Sequence, residues 1–173
     1  YSIETSKFAL DGGAMFGIIP KPLWEKKAPA DKNNRISMVT RSLLLISNEH
    51  KIIVDTGNGT KWQEKFKNIY RIELNNMNME KSLVKYGFTL GDITDVYCTH
   101  LHFDHVGGNT KNVDGKLEPV FPNATYWIQS ENWRLANSPS EKDAGSFMLD
   151  DWNVLYENNM IKFVDGKESF LPG

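Results

Sequence analysis

A single cysteine in 173 residues rules out an intrachain disulfide, so packing must hold this fold. That residue, Cys98, lies on an apolar stretch and reads as a small buried core residue rather than a nucleophile or ligand. No apolar run approaches the roughly 18 to 20 residues needed to span a bilayer. No signal peptide is visible, and the compartment is left open. Lys and Arg number 20 against 22 Asp and Glu, a formal charge of −2, with no long run of either sign. That balance offers no electrostatic reason to expect nucleic acid or an anionic membrane as partner. Internal repeats, low-complexity segments and linker-like stretches are missing too, which predicts one domain over residues 1–173. No Gly-x-Ser-x-Gly element is present to supply a serine nucleophile.

Histidine is scarce as well, and its placement is informative. Three of the four histidines fall within Thr99-His100-Leu101-His102-Phe103-Asp104-His105, which is followed by Gly107-Gly108. The fourth, His50, lies in a polar Asn48-Glu49-His50 turn and is expected to be solvated. The cluster follows an apolar strand-like stretch, Ile93 to Cys98. In extended chain, residues i and i+2 share a face, so His100 and His102 converge while Leu101 turns away. Asp104 and His105 then fall in the turn and can bring a second pair of donors alongside. Neutral imidazole and carboxylate suit zinc, iron or manganese. Gly107 and Gly108 have no Cβ and let backbone pass close beneath such a site.

Around the cluster the pattern alternates between strands and helices. Ser2 to Leu10 reads as an edge strand, broken at Asp11-Gly12-Gly13, and Met15 to Lys27 as a loop with two prolines. Ser37 to Ile46 and Lys51 to Val54 form a hairpin. Thr60 opens a helix with Trp62, Phe66 and Ile69 at helical spacing and Gln63 at a capping-box offset. A second helix covers Met79 to Tyr86 and stops at Gly87. A short helix is expected near Gly108. Ala124 to Gln129 is a strand, Ser130 caps a helix through Ala136, Ser146 to Asn158 is helical, and Met160 to Val164 is a last strand. This order suits an α/β layered fold.

The run THLHFDHVGGN resembles the signature of the metallo-β-lactamase superfamily. Ile52-Ile53-Val54-Asp55-Thr56-Gly57 resembles the strand and acidic turn that precede that signature. Asp11-Gly12-Gly13-Ala14-Met15-Phe16-Gly17 with Pro20-Lys21-Pro22-Leu23-Trp24 is similar to a subgroup of lactonase-like and organophosphate-hydrolase-like members. So are Phe121 to Trp127 and Ser130 to Trp133. The implied fold is the αββα sandwich, here incomplete: the N-terminal part only, truncated before the loop that supplies a third histidine. No histidine follows His105, and the chain begins at Tyr1.

The resemblance implies that His100 and His102 bind a first metal and Asp104 and His105 a second. Two divalent ions, zinc foremost with manganese or iron as alternatives, would share a hydroxide that attacks an ester, lactone or phosphotriester. Asp104 would orient that hydroxide and carry a proton to the leaving group. Asp55 and Thr99 are the candidates for supporting the ligands, Asp55 by holding the free ring N–H of a ligating histidine. An Asp that merely caps the turn at Thr56-Gly57 is the competing reading. Met15 and Phe16 are candidates for an apolar substrate pocket, and Phe103 for packing under the site or facing substrate. Trp24, Trp152 and Tyr156 are either lid or core. The expected partner is a small-molecule substrate, and a homodimer is compatible. A thioester hydrolase or mononuclear-iron sulfur dioxygenase on the same fold is the alternative enzyme, and a non-catalytic truncated domain the alternative to an enzyme. With two ligands per metal, the 173 residues taken alone predict little catalysis.

Overall fold

The computed structural model describes residues 1–74 and 77–166. Eight strands and seven short helices are resolved there. β1 (Ser2–Asp11) is followed by α1 (Gly12–Phe16) and α2 (Lys21–Trp24), then by β2 (Arg35–Ile46) and β3 (Lys51–Val54). Next come α3 (Glu64–Tyr70), α4 (Met79–Val84), β4 (Asp95–Tyr97) and α5 (Phe103–Val106). A hairpin of β5 (Thr110–Val113) and β6 (Lys116–Pro119) precedes β7 (Thr125–Gln129), α6 (Ser130–Asn137), α7 (Asn153–Glu157) and β8 (Ile161–Val164). Six strands form one sheet in the order β1-β2-β3-β4-β7-β8. β1 to β3 pair antiparallel, and β3, β4, β7 and β8 run parallel.

Alternation decides which face of the sheet is covered. Leu44, Ile53, Val96, Tyr126 and Ile128 are buried and pack with Leu83 of α4, Ala136 of α6 and Leu155 of α7. The opposite face carries a row in register, Leu43, Val54, Tyr97 and Trp127, and Leu43 is 43% exposed. One helical layer therefore covers one face of the six-stranded sheet. The other sheet among the described residues is the two-stranded β5–β6 hairpin. No helix among the described residues is long and apolar enough to cross a membrane.

Several expectations are corrected. The Met15–Lys27 loop holds the end of α1, which starts in the expected break at Gly12, and all of α2: Asp11 caps α1 by accepting from the Ala14 amide, and Pro22 sits in the first turn of α2. α3 begins at Glu64, with Gln63 rather than Thr60 before it and no side-chain cap. The segment 146–158 is not one helix. A 3-10 turn at Leu149–Asp151 precedes α7, because Trp152 leaves helical geometry (φ −143°) with its side chain in the core. The β5–β6 hairpin was not expected, although Asp114-Gly115 supplies the two positive φ angles of its turn, 50° and 83°. His50 is not simply solvated: its Nδ1 lies 2.9 Å from Asp95 Oδ2. Trp24 and Trp152 are core, whereas Tyr156 is 54% exposed.

Candidate metal centre

β3 and β4 are parallel neighbours, with Val54 opposite Tyr97, so their carboxyl ends lie side by side. In open α/β sheets this edge is where ligands bind. One more backbone bond, Asp55 N–H to Tyr97 O at 2.9 Å, extends the ladder before both chains turn outward. Asp55 turns in the left-handed region (φ 56°), which Asp tolerates better than most residues. Its carboxylate thereby faces the start of the histidine run. Oδ1 accepts from the Thr99 amide, and Oδ2 accepts from the Thr99 hydroxyl and from His105 Nδ1–H, each at 2.8 Å.

Strand geometry ends at Tyr97 and the chain bends at Thr99, yet the expected convergence of His100 and His102 is present. Leu101 is buried, while the His100 and His102 rings meet edge to face with centroids 4.6 Å apart. His102 is the N-cap residue of α5, accepting from the His105 and Val106 amides, and this single turn carries Asp104 and His105. The turn swings His105 back until its ring centroid is 3.9 Å from that of His100. Asp104 Oδ2 lies 3.7 Å from His105 Nε2.

The hydrogen bonds select tautomers. The single hydroxyl proton of Thr99 goes to Asp55, so Thr99 Oγ1, 3.1 Å from His100 Nδ1, can only accept from that nitrogen. In their neutral forms His100 and His105 then both carry their proton on Nδ1 and present a bare Nε2 lone pair. Burial, with the neighbouring histidines, holds His100 below the usual imidazole range, and burial also holds His102 there. Burial pushes His105 in the same direction, but the Asp55 hydrogen bond and the Asp104 charge more than reverse it. Neutral imidazoles beside a carboxylate are the donor chemistry of zinc, manganese or iron sites, so the residues present fit a metal. The set is not closed around any one ion: no group of three or more His, Cys, Asp or Glu side chains among the described residues is arranged to hold one.

Backbone contact fixes the loop from beneath. His105 O accepts from the Thr56 and Gly57 amides at 2.6 and 3.1 Å, and the Gly108 amide donates to Gly57 O at 2.9 Å. A Cβ at Gly108 would stand 2.3 Å from Thr56 O, and one at Gly107 2.4 Å from Asn58 O. Only glycine lets the two loops meet this closely.

The metallo-beta-lactamase superfamily model matches residues 38–157, a span containing every histidine and the whole of this edge. The chain belongs to the metallo-β-lactamase superfamily. A probable metal-dependent hydrolase from Staphylococcus aureus superposes with a TM-score of 0.88 at 28% identity, over 100% of this chain and 61% of that one. AidC, a dizinc quorum-quenching lactonase solved with a product, gives 0.70 at 23% identity over 98% of this chain and 59% of its own. An AiiA variant from B. thuringiensis with N-decanoyl-L-homoserine at its active site gives 0.68 at 21%, over 100% and 62%. The chain thus spans about three fifths of the length of these structures. No curated protein matches it.

Within this superfamily fold, six of the residues singled out from sequence, Asp55, Thr99, His100, His102, Asp104 and His105, converge on one edge. Phe103 does not face outward with its neighbours. It is 5% exposed and packs under α5 against Trp62 and Tyr70, centroids 5.2 and 4.8 Å away. Met15 and Phe16 lie on α1, at the far end of the β1–β2 ladder. That ladder runs on to Asp11 and Arg35, well past the end of β3 opposite Leu43, so α1 lies beyond the end of β3. There Met15 is 45% exposed and Phe16 stacks on Trp24 at 4.9 Å.

Residues that sequence reasoning passed over also support the edge. Asn109, fully buried, accepts from the Thr56 hydroxyl, and Asn132 donates to Thr99 O. Both stand inside the family-like segments, where their amides could have been suspected. Phe147 sets its ring 4.8 Å from that of His102, and no local pattern announces it.

Proposed function

We propose that His100, His102, Asp104 and His105 are this chain's share of a dinuclear metal centre, and that the protein containing it is a metal-dependent hydrolase of lactones, esters or phosphotriesters. The observation carrying this reading is the chain of hydrogen bonds from His100 through Thr99 and Asp55 to His105, which engages Nδ1 of both rings and leaves each Nε2 for a metal, His105 Nε2 beside Asp104. His100 and His102 would hold one ion, and Asp104 and His105 the other. Zinc fits these donors best, and manganese or iron would use the same ones. When bound, a pair of divalent ions lowers the pKa of a shared water towards neutrality and polarises the oxygen of the group under attack.

The chain's own residues supply the rest. Asp55 and Thr99 keep the imidazoles in the ligating tautomer, as a supporting carboxylate does at metal sites generally. Asp104, beside His105 Nε2 and only 20% exposed, is placed to accept a proton from the attacking water and release it to the leaving alkoxide. The lactonases among the structural neighbours favour a small ester or lactone as substrate.

The test is metal content by plasma mass spectrometry on the full-length protein, beside the His100→Ala/His102→Ala variant, followed by a panel of acyl-homoserine lactones and an aryl phosphotriester. Close to two equivalents of metal, reduced in the variant, with turnover of at least one substrate class, is the expected result. Equal metal in both proteins would overturn the ligand assignment. Full metal with no turnover would overturn the substrate class.

A further inference from the structure

Lys61, on the loop between β3 and α3, is driven inward with its side chain only 10% exposed. Its Nζ lies 2.6 Å from Asp151 Oδ1 and donates to Gly107 O at 2.5 Å and Thr110 O at 3.4 Å. An ammonium has three hydrogens, and these acceptors use them all. The Asp151 side chain is 2% exposed, and its Oδ2 finds no hydrogen-bond partner among the described residues. Burial pushes the Asp151 carboxyl up, and the Lys61 charge draws it back. Isolating two charges from water to this degree contributes little net stability, since a hydrophobic pair of similar volume often does as well. The pair supplies something a hydrophobic pair cannot: a cation aimed at the carbonyls of one loop.

That loop needs an outside anchor. α5, which carries Asp104 and His105, is one turn long and cannot hold its own shape. It ends at Gly107-Gly108, which have no side chains to pin it. Around that end three segments converge. Lys61 arrives from one, with Trp62 packed on Phe103 and donating to Asn58 O at 2.6 Å. The loop supplies Gly107 and Thr110, and Asp151 closes from the third, where Asp150 O accepts from the Thr110 hydroxyl at 2.6 Å. We propose that Lys61 and Asp151 are positioning residues, a buried clamp that fixes the carboxyl end of α5 and so sets Asp104 and His105 relative to His100. Its consequence for metal rests on the ligand reading above; the clamp itself does not.

The experiment compares Lys61→Met/Asp151→Leu and Asp151→Asn with the parent protein at full length. Asp151→Asn keeps shape and one hydrogen bond, and serves where the double variant does not fold. Amide hydrogen exchange without added metal reads the clamp directly. The seam amides of Thr56, Gly57 and Gly108 should exchange at least about tenfold faster while amides of the β2–β3 ladder are unchanged. Unchanged seam exchange overturns the clamp, as does acceleration of seam and ladder by one factor, the mark of general destabilisation. Cobalt(II) titration then reads the ligands: affinity about tenfold lower with altered d–d bands is expected, in the range seen when supporting contacts at metal sites are removed. A variant matching the parent in cobalt affinity and spectrum overturns the positioning role. A parent that takes up no cobalt, with the local exchange effect present, leaves the clamp standing and overturns the metal reading.

Discussion

Replacing Asp55 by Asn changes one oxygen into NH2 and should switch the tautomer of His105. Asp55 now accepts three hydrogen bonds at 2.8 Å, two of them on Oδ2. In the orientation that keeps the Thr99 amide bond, the new NH2 group faces His105 Nδ1. That nitrogen must then accept, which moves its proton to Nε2 and removes the lone pair meant for metal. Turning the amide round instead sets its NH2 against the Thr99 amide, donor to donor. A hydrogen bond to a charged group contributes about 1.5–3 kcal/mol, and the Asn retains some of the three contacts, so the net loss is about 2 kcal/mol. For a chain of this size that is a fall in Tm of roughly 4 to 8 °C. Metal affinity should drop about 10- to 100-fold. Long-range 1H–15N correlation spectra of the imidazoles distinguish Nδ1–H from Nε2–H. A variant whose His105 keeps its proton on Nδ1, with Tm unchanged, would refute the hydrogen-bond chain as the source of the tautomer.

Gly108→Ala should destabilise by about 3 kcal/mol or more, since its Cβ would meet backbone at 2.3 Å that cannot step aside, whereas Gly145→Ala, with nothing within 4 Å, should leave denaturant midpoints unchanged. Comparable losses in the two would refute the close crossing of the loops. Burial alone would raise the Asp95 carboxyl, but hydrogen bonds from Thr94, Trp127 and His50 more than reverse this and hold it below the usual range. A depressed carboxylate stabilises the fold above its unfolded pKa, and that contribution is lost as pH falls through the folded value. Asp95→Asn should therefore cost stability at neutral pH, and the gap should close as pH falls below the ordinary carboxylate range, read as Tm against pH; a gap that stays constant through that acid range would contradict it. Burial pushes the Cys98 thiol up to about 12, so Ellman's reagent should react only after unfolding, and prompt labelling of the native protein would show the strand to be open.

The readable parts of this protein are those where chemistry repeats at short range. Apolar runs on either side of a polar turn identified β2 and β3 as a hairpin, because a strand that buries its side chains between turn-forming residues needs no longer-range signal. The histidine run announced its candidate donors because extended chain followed by one helical turn can bring residues 100, 102 and 105 to one side, although contacts from elsewhere hold that turn in place. Helices of four to eight residues were harder to bound. In α3 and around Asp151, tertiary contacts outweigh the weak local signals of capping and periodicity.

The amino-acid sequence by itself determined the candidate donor set, the strands that deliver it and the glycines that let the loops cross. Tertiary structure alone decided between an Asp55 that caps a turn and one that orients His105, a partner 50 positions away. It likewise decided that Phe103 packs under the site, that Phe147 flanks His102, that His50 binds Asp95 and that Lys61 is buried against Asp151. The reason is physical: periodicity records which face of an element is covered, but a pairing across 45 to 90 residues leaves no local pattern, because it exists only once parallel strands have set their carboxyl ends side by side.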